Sequence, residues 1–160
     1  MEGFKHTVLC VDDEKNILSA MKRLLRKENF HLLTCSSGEE ALAAMAENDI
    51  HVVISDQRMP RMTGTEFLKS VRENRPDTIR IILTGYADID SITASIDAGD
   101  IDNFFVKPWN DENLKLEIRQ ALKLYDLIRE NKALRAMLAE QEEELRRMNT
   151  NLQELVKDRA

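Results

Sequence analysis

The stretch VVISDQRMP, Val52 to Pro60, runs three apolar residues and a serine straight into an aspartate, and the chain then turns at Met59-Pro60. Such a run is too short for a typical helix and reads as a buried strand. A buried strand that ends on a carboxylate presents that carboxylate at the rim of a sheet. The position of Asp56 therefore needs a chemical reason.

Working outward, residues 7–11, 32–35, 79–83 and 104–106 read as further strands, rich in Val, Ile, Phe and Thr. Between them, Ile17/Met21/Leu24/Leu25, Ala41/Leu42/Met45, Phe67/Leu68/Val71 and Ile89/Ile92/Ile96 recur at the three-to-four residue spacing of a helix face. Ser37 with Glu40, and Thr63 with Glu66, have capping-box spacing, in which each side chain satisfies a free backbone donor of the first turn. With the helix that follows Trp109, a strand-helix unit repeats five times. Strands alternating with crossover helices predict a five-stranded parallel, doubly wound α/β sheet covered on both faces, of flavodoxin-like order 2-1-3-4-5.

After Trp109 no further strand is expected, Gly and Pro vanish, and leucines recur to the end. Period seven places Leu124, Asn131, Leu138, Leu145 and Leu152 at one seam position and Leu127, Leu134, Gln141, Met148 and Leu155 at the other. This is a coiled-coil repeat of about five heptads. The expected division is a globular domain over residues 1–123 and a dimerising, signal-carrying helix over residues 124–160.

The chain has 160 residues and a formal net charge of -6. Acids outnumber bases by 18 to 13 in the first 109 residues and by only 11 to 10 beyond them, so the acidity belongs to the globular part. No basic patch suited to nucleic acid or an anionic membrane is visible. No leader pattern or membrane-length apolar run occurs, so a cytoplasmic protein is expected. Cys10 and Cys35 stand apart, each within an expected strand, and read as buried reduced thiols.

In a parallel α/β sheet the loops at the carboxyl ends of the strands gather on one edge, and ligands bind there where strand order reverses. Asp12 and Asp13 follow the first strand and Asp56 ends the third, so in the order 2-1-3-4-5 three carboxylates converge. Crowded like charges are unfavourable unless protonated or neutralised by a cation. Oxygen-only ligands around an open site suit Mg²⁺, which keeps several waters and accepts phosphate oxygens. Thr84, ending "IILT", and Lys107, ending "FFVK", fall at the same edge. A hydroxyl and an ammonium beside a metal-bound carboxylate suit a phosphoryl group, with Asp56 as the nucleophile. Any one of these residues is ordinary in a loop; five at the ends of four strands form a pattern.

With "VDDE", "SDQRMPRMTG", "LTGYAD" and "VKPW" in this order and separation, the sequence from about Lys5 to Leu124 resembles the receiver domain of bacterial two-component response regulators. The resemblance implies that Asp56 accepts a phosphoryl group from a phosphohistidine on a sensor histidine kinase. It implies that Asp13, Asp56 and the backbone carbonyl of Arg58 ligate Mg²⁺, with Asp12 helping through water. Thr84 and Lys107 would contact the phosphoryl oxygens. Phe104 would be the aromatic switch that turns inward when Thr84 moves, and Lys107-Pro108 would be cis. At the rim, Gly85 fills the place of a small residue after the switch threonine. Arg58 and Tyr86 occupy positions that vary in the family, and the Tyr86 ring would screen an aspartyl phosphate from water.

Other features read as structural. His6, His31 and His51 fall near strand beginnings, at the pole opposite the acidic edge. Trp109 reads as packing at the start of the last helix, and Met137 and Met148 as helix contacts at or beside the seam. Ser36, Ser37 and Gly38 form no phosphate loop.

The function expected is a phosphorylation-controlled signalling module, not an enzyme in its own right, that acts through a parallel homodimeric coiled coil. A chain ending in heptad register is expected to be a linker cut before an output domain. The "DQRMP", "LTGYAD" and "KPW" combination resembles regulators carrying an HD-GYP phosphodiesterase or an ATPase-type transcription activator. The alternatives are a Mg²⁺-dependent phosphohydrolase working through an aspartyl phosphate, which usually carries an acid where Arg58 stands, and a coiled-coil scaffold.

Overall fold

A computed structural model describes residues 3–159. The strands are β1 (Thr7–Val11), β2 (His31–Cys35), β3 (Val52–Asp56), β4 (Ile79–Thr84) and β5 (Asn103–Val106). The helices are α1 (Lys15–Leu25), α2 (Gly38–Glu47), α3 (Gly64–Asn74), α4 (Ile89–Asp97) and α5 (Asp111–Arg159), with a 3₁₀ turn at Tyr86–Asp88 before α4. All strand pairs are parallel and their order is β2-β1-β3-β4-β5. This is the doubly wound (βα)₅ sheet expected. Four strands run one residue beyond the apolar stretches, to take in His31, Asp56, Thr84 and Asn103, because the hydrogen-bonded ladder does not stop where the side chains become polar.

Side chains alternate across the sheet. Leu9, Val11, Val53 and Ile82 face one side, where they form a core with Ala41 and Met45 of α2, Phe67, Leu68 and Val71 of α3, and Ile92 of α4. Val8, Cys10, Val52, Ile54, Ile81 and Leu83 face the other, and the buried Leu18, Met21 and Leu25 of α1 and Leu114 and Ile118 of α5 complete that layer. β3 and β4, in the middle, are buried along their whole length. This double coverage explains why they read as unbroken apolar runs.

The helix starts differ in part from the capping-box expectation. Ser37 and Thr63 do accept from the backbone N–H groups of Glu40 and Glu66. The glutamates do not return the bond to the cap residue's own N–H: Glu40 reaches Ser36, and Glu66 accepts from the Thr63 hydroxyl.

Arg80, in β4, is an apolar-strand residue only by position. Its buried guanidinium donates to the carbonyls of Pro76, Thr78, Gly99 and Asp100, while Asp102 accepts from its backbone N–H. It thereby ties the start of β4 to the loop before β5, where Gly99 takes the left-handed conformation at φ 82° that closes α4. At the same pole His51 accepts from the Thr7 N–H through Nδ1, and its ring packs edge-on to His6 and Tyr125.

The chain divides into two compact units between Tyr125 and Asp126. The first holds the sheet; the second consists of helix alone. In that helix, and at Leu124 just before it, the apolar seam residues are exposed, from 45% at Leu124 to 63% at Leu145. Among the described residues no helix is long and apolar enough to cross a membrane.

Candidate functional site

The site follows from strand register. Val11 pairs with Ser55, so the next residues, Asp12 and Asp56, emerge side by side at the carboxyl edge of β1 and β3. Asp56 pairs with Leu83, and Thr84 with Val106, which sets Thr84 and then Lys107 on the same edge. Backbone bonds carry the ladder past the strand ends: Asp12 N–H donates to Cys35, Gln57 N–H to Leu83 and Lys107 N–H to Thr84.

Asp12, Asp13 and Asp56 each offer a carboxylate oxygen, and these oxygens lie within 4.8 Å of one another. Asp12 and Asp56 are buried while Asp13 is exposed, so the cluster has a closed floor and an open mouth. The Lys107 ammonium lies 2.9 Å from Asp56 Oδ1 and 3.2 Å from Asp12 Oδ2. Asp12 Oδ1 accepts from the Glu14 N–H at 2.9 Å, which fixes the remaining half of that carboxylate at the entry to α1.

Burial raises the Asp12 pKa above the ordinary carboxylate value, and the Asp56 charge raises it further, against the Glu14 N–H and Lys107. Burial likewise raises Asp56, with Lys107 only partly opposing. Burial disfavours the Lys107 ammonium as well, but its hydrogen bonds and charge interactions with Asp56 and Asp12 prevail and its pKa lies above the usual one. Two buried carboxylates thus share one lysine beside an exposed third, and a hard divalent cation would relieve them. An all-oxygen donor set with an open side fits Mg²⁺ rather than a thiophilic metal.

Thr84 is buried, and its hydroxyl donates to the Gly85 carbonyl at 3.2 Å. Lys107-Pro108 is cis. Phe104, on β5, is 39% exposed, so its ring is turned toward solvent. The Tyr86 ring, on the 3₁₀ turn after β4, is 82% exposed. The Arg58 side chain is engaged by Asp88: Nε lies 2.7 Å from Asp88 Oδ2, and Nη2 donates to Asp88 Oδ1 at 2.8 Å.

Sequence reasoning missed what holds Asp56 in place. The buried Gln57 side chain accepts from the Thr65 N–H at 2.9 Å, and the Gln57 carbonyl accepts from the Gly64 N–H. A β-carbon on Gly64 would meet the Asp56 carbonyl oxygen, so only glycine allows α3 to start this close to the acidic turn. The TG dipeptide in "RMTG" was the signal available for it. Cys10 and Cys35 are buried and free, and burial raises their pKa values to about 12 and about 11, which favours the neutral thiols.

The family model for the response regulator receiver domain matches residues 8–119. The chain is 41% identical over 127 residues to the hydrogenase transcriptional regulatory protein HoxA of Cupriavidus necator, covering 79% of this chain and 26% of that protein. It spans about a quarter of the length of the curated relatives it matches first. Among solved structures it resembles the signal receiver domain of an HD domain-containing protein from Pseudomonas fluorescens Pf-5. Here the identity is 32% and the TM-score 0.76, covering 81% of this chain and 96% of that one. It also resembles response regulator protein TrrA from Thermotoga maritima in complex with Mg(2+)-BeF, at 30% identity and TM-score 0.65, covering 73% and 99%. With the 2-1-3-4-5 sheet and three carboxylates gathered at its carboxyl edge, the chain belongs to the response regulator receiver domain family of two-component systems.

Proposed function

We propose that this chain accepts a phosphoryl group on Asp56 from the phosphohistidine of a sensor histidine kinase and passes the change of state to an output domain through α5. The observation that carries this reading is the meeting of Asp12, Asp13, Asp56 and Lys107 around one open mouth. Asp56 is the carboxylate that ends a fully buried strand, and Lys107 holds it. In the transfer, an Asp56 oxygen forms the new O–P bond as the P–N bond breaks, and the electron pair leaves with the imidazole nitrogen, which takes up a proton. Asp13, Asp56 and the Arg58 carbonyl would hold Mg²⁺, with Asp12 behind them through water. Bound there, Mg²⁺ supplies positive charge to the phosphoryl oxygens. Lys107 supplies a second positive charge, and the Thr84 hydroxyl a donor once it leaves Gly85.

Arg58 stands where a phosphohydrolase of the aspartyl-phosphate kind would carry its second acid, and its guanidinium is committed to Asp88. That favours a phosphoacceptor over a hydrolase. The exposed seam favours a parallel homodimer through Leu124, Leu127, Leu134, Leu138, Leu145, Met148, Leu152 and Leu155. Asn131 would then meet its own counterpart and satisfy its amide, and Glu130 would face Arg135 across the pair. The output is of the transcription-activator or HD-GYP phosphodiesterase type, in keeping with the relatives, and the location is cytoplasmic. The test is intact-mass measurement after incubation with acetyl phosphate: one phosphoryl group on the parent with Mg²⁺, and none on Asp56→Asn or without metal. Equal labelling of parent and variant overturns the reading.

A further inference from the structure

Arg58 lies in the loop after β3, and Asp88 closes the 3₁₀ turn after β4; thirty residues separate them. Their contact is bidentate, with both guanidinium-to-carboxylate distances below 3 Å. The two ends are unequal in exposure: the Arg58 side chain is 76% exposed and that of Asp88 only 18%. Asp88 is thus a seated acceptor and Arg58 a solvent-exposed donor to it.

The Asp88 seat connects directly to Thr84. The Asp88 N–H donates to the Gly85 carbonyl at 3.0 Å, and that same carbonyl accepts the Thr84 hydroxyl at 3.2 Å. Ser91 Oγ donates to the Asp88 carbonyl at 2.6 Å, which fastens the turn to α4. Whatever holds Asp88 therefore holds the Gly85 carbonyl, and with it the Thr84 hydroxyl. Arg58, Asp88 and Asp13 line one open cleft. Arg58 also follows Asp56 by two residues and feels the Asp56 charge, more weakly than that of Asp88.

We propose that Arg58 and Asp88 form a latch that holds the turn after β4 while Asp56 is bare. A phosphoryl group on Asp56 draws the Arg58 guanidinium off Asp88 and frees the Gly85 carbonyl and the Thr84 hydroxyl to move. This rests on the phosphoacceptor reading of Asp56. Two physical points carry it. A planar guanidinium matches phosphate oxygens as well as it matches a carboxylate, and a phosphoryl group brings more charge than one carboxylate does. An exposed ion pair is weak enough for a nearby dianion to compete with it. Arg58 is then a positioning residue that acts on Thr84 through Asp88.

The experiment titrates beryllium fluoride with Mg²⁺ into the parent, Asp88→Asn, Arg58→Ala and the double variant, followed by amide NMR with the Gly85 signal as reporter of the turn. All substitutions are at side chains outside the core, and Asp88→Asn keeps the shape of the seat. Asp88→Asn is expected to bind about two- to fivefold tighter than the parent, the range set by a weak exposed pair. Its Gly85 signal should lie part-way to the bound position before any beryllium fluoride is added. In the Arg58→Ala background the same substitution should add nothing. Equal affinity and equal Gly85 signals in parent and Asp88→Asn would overturn the latch. So would the same gain with and without Arg58, which would mean simple removal of negative charge. If the parent itself binds no beryllium fluoride, the phosphoacceptor reading fails and the latch falls with it; if the parent binds and the four arms coincide, the latch alone fails.

Discussion

Lys107 Nζ sits 2.9 Å from Asp56 Oδ1 and has its second carboxylate contact on Asp12, so one ammonium bridges the ends of β1 and β3 from the end of β5. A buried carboxylate pair with a single cation is under-neutralised, and burial raises the pKa of both acids against the pull of Lys107. The lysine thus contributes positive charge at the nucleophile without taking the place of a metal.

Lys107→Ala is accordingly expected to keep Mg²⁺ affinity within about threefold of the parent while losing the response to beryllium fluoride. Asp13→Ala should weaken Mg²⁺ by about tenfold or more, near 1.4 kcal/mol. Calorimetric titration of Mg²⁺ into both variants checks this. Equal loss of metal affinity in the two would remove the division of labour between lysine and carboxylates.

Asp12→Asn should stabilise the metal-free protein. The Asp12 pKa is raised in the fold, so the folded state binds a proton more readily than the unfolded one. Stability linked to this group is full below its unfolded pKa and is lost as pH rises through the folded value. At neutral pH the substitution removes that penalty, and an effect of about 1 kcal/mol corresponds to about 2–4 °C in Tm. The gap between variant and parent should close as pH falls through the raised Asp12 value, and Mg²⁺ should narrow it by stabilising the parent. Calorimetric scans from pH 7 downward, with and without Mg²⁺, read both effects.

Gly64→Ala places a methyl group against the Asp56 carbonyl oxygen, which is backbone and also accepts the Ser55 hydroxyl at 2.9 Å. The turn must shift. The expected cost is about 1–3 kcal/mol in urea unfolding, typical of overpacking a tight contact. The rate of labelling by acetyl phosphate should fall as well, because the nucleophile is displaced. A variant as stable and as fast as the parent would show that the turn yields freely.

The parent chain should sediment as a dimer, and truncation after Tyr125, where the first compact unit ends, should give a monomer or a much weaker dimer. A helical stretch of 35 residues is about 50 Å long and would otherwise leave its leucine seam in water. Leu145→Cys should crosslink symmetrically, as a parallel pair requires. Asn131→Leu should raise stability while relaxing register or oligomer state. A monomeric parent, or a dimer whose introduced thiols fail to meet, contradicts the pairing.

The sheet was legible because each strand is a compact apolar run and each helix repeats its buried face locally. The convergence of Asp12, Asp56, Thr84 and Lys107 followed from topology alone, since residues just past parallel strands share an edge. Partnerships between side chains remote in sequence were not legible. Arg58 with Asp88, Arg119 with Glu28, and His51 with Thr7 join residues 30, 91 and 44 positions apart, and no local spacing marks them. Arg80 was hidden in a different way. A lone charge in an apolar strand carries no sign of the four carbonyls that a loop some twenty residues on, and its own approach, bring to it.

Asp56 as the phosphoacceptor is tested most directly by borohydride reduction of the acetyl-phosphate-treated protein, followed by peptide mass spectrometry. Reduction of an aspartyl phosphate leaves homoserine at the modified position. The expected result is homoserine at position 56 alone, dependent on Mg²⁺ and lost when the metal is chelated. Homoserine at Asp12 or Asp13, or none at position 56 despite a labelled intact mass, would contradict it.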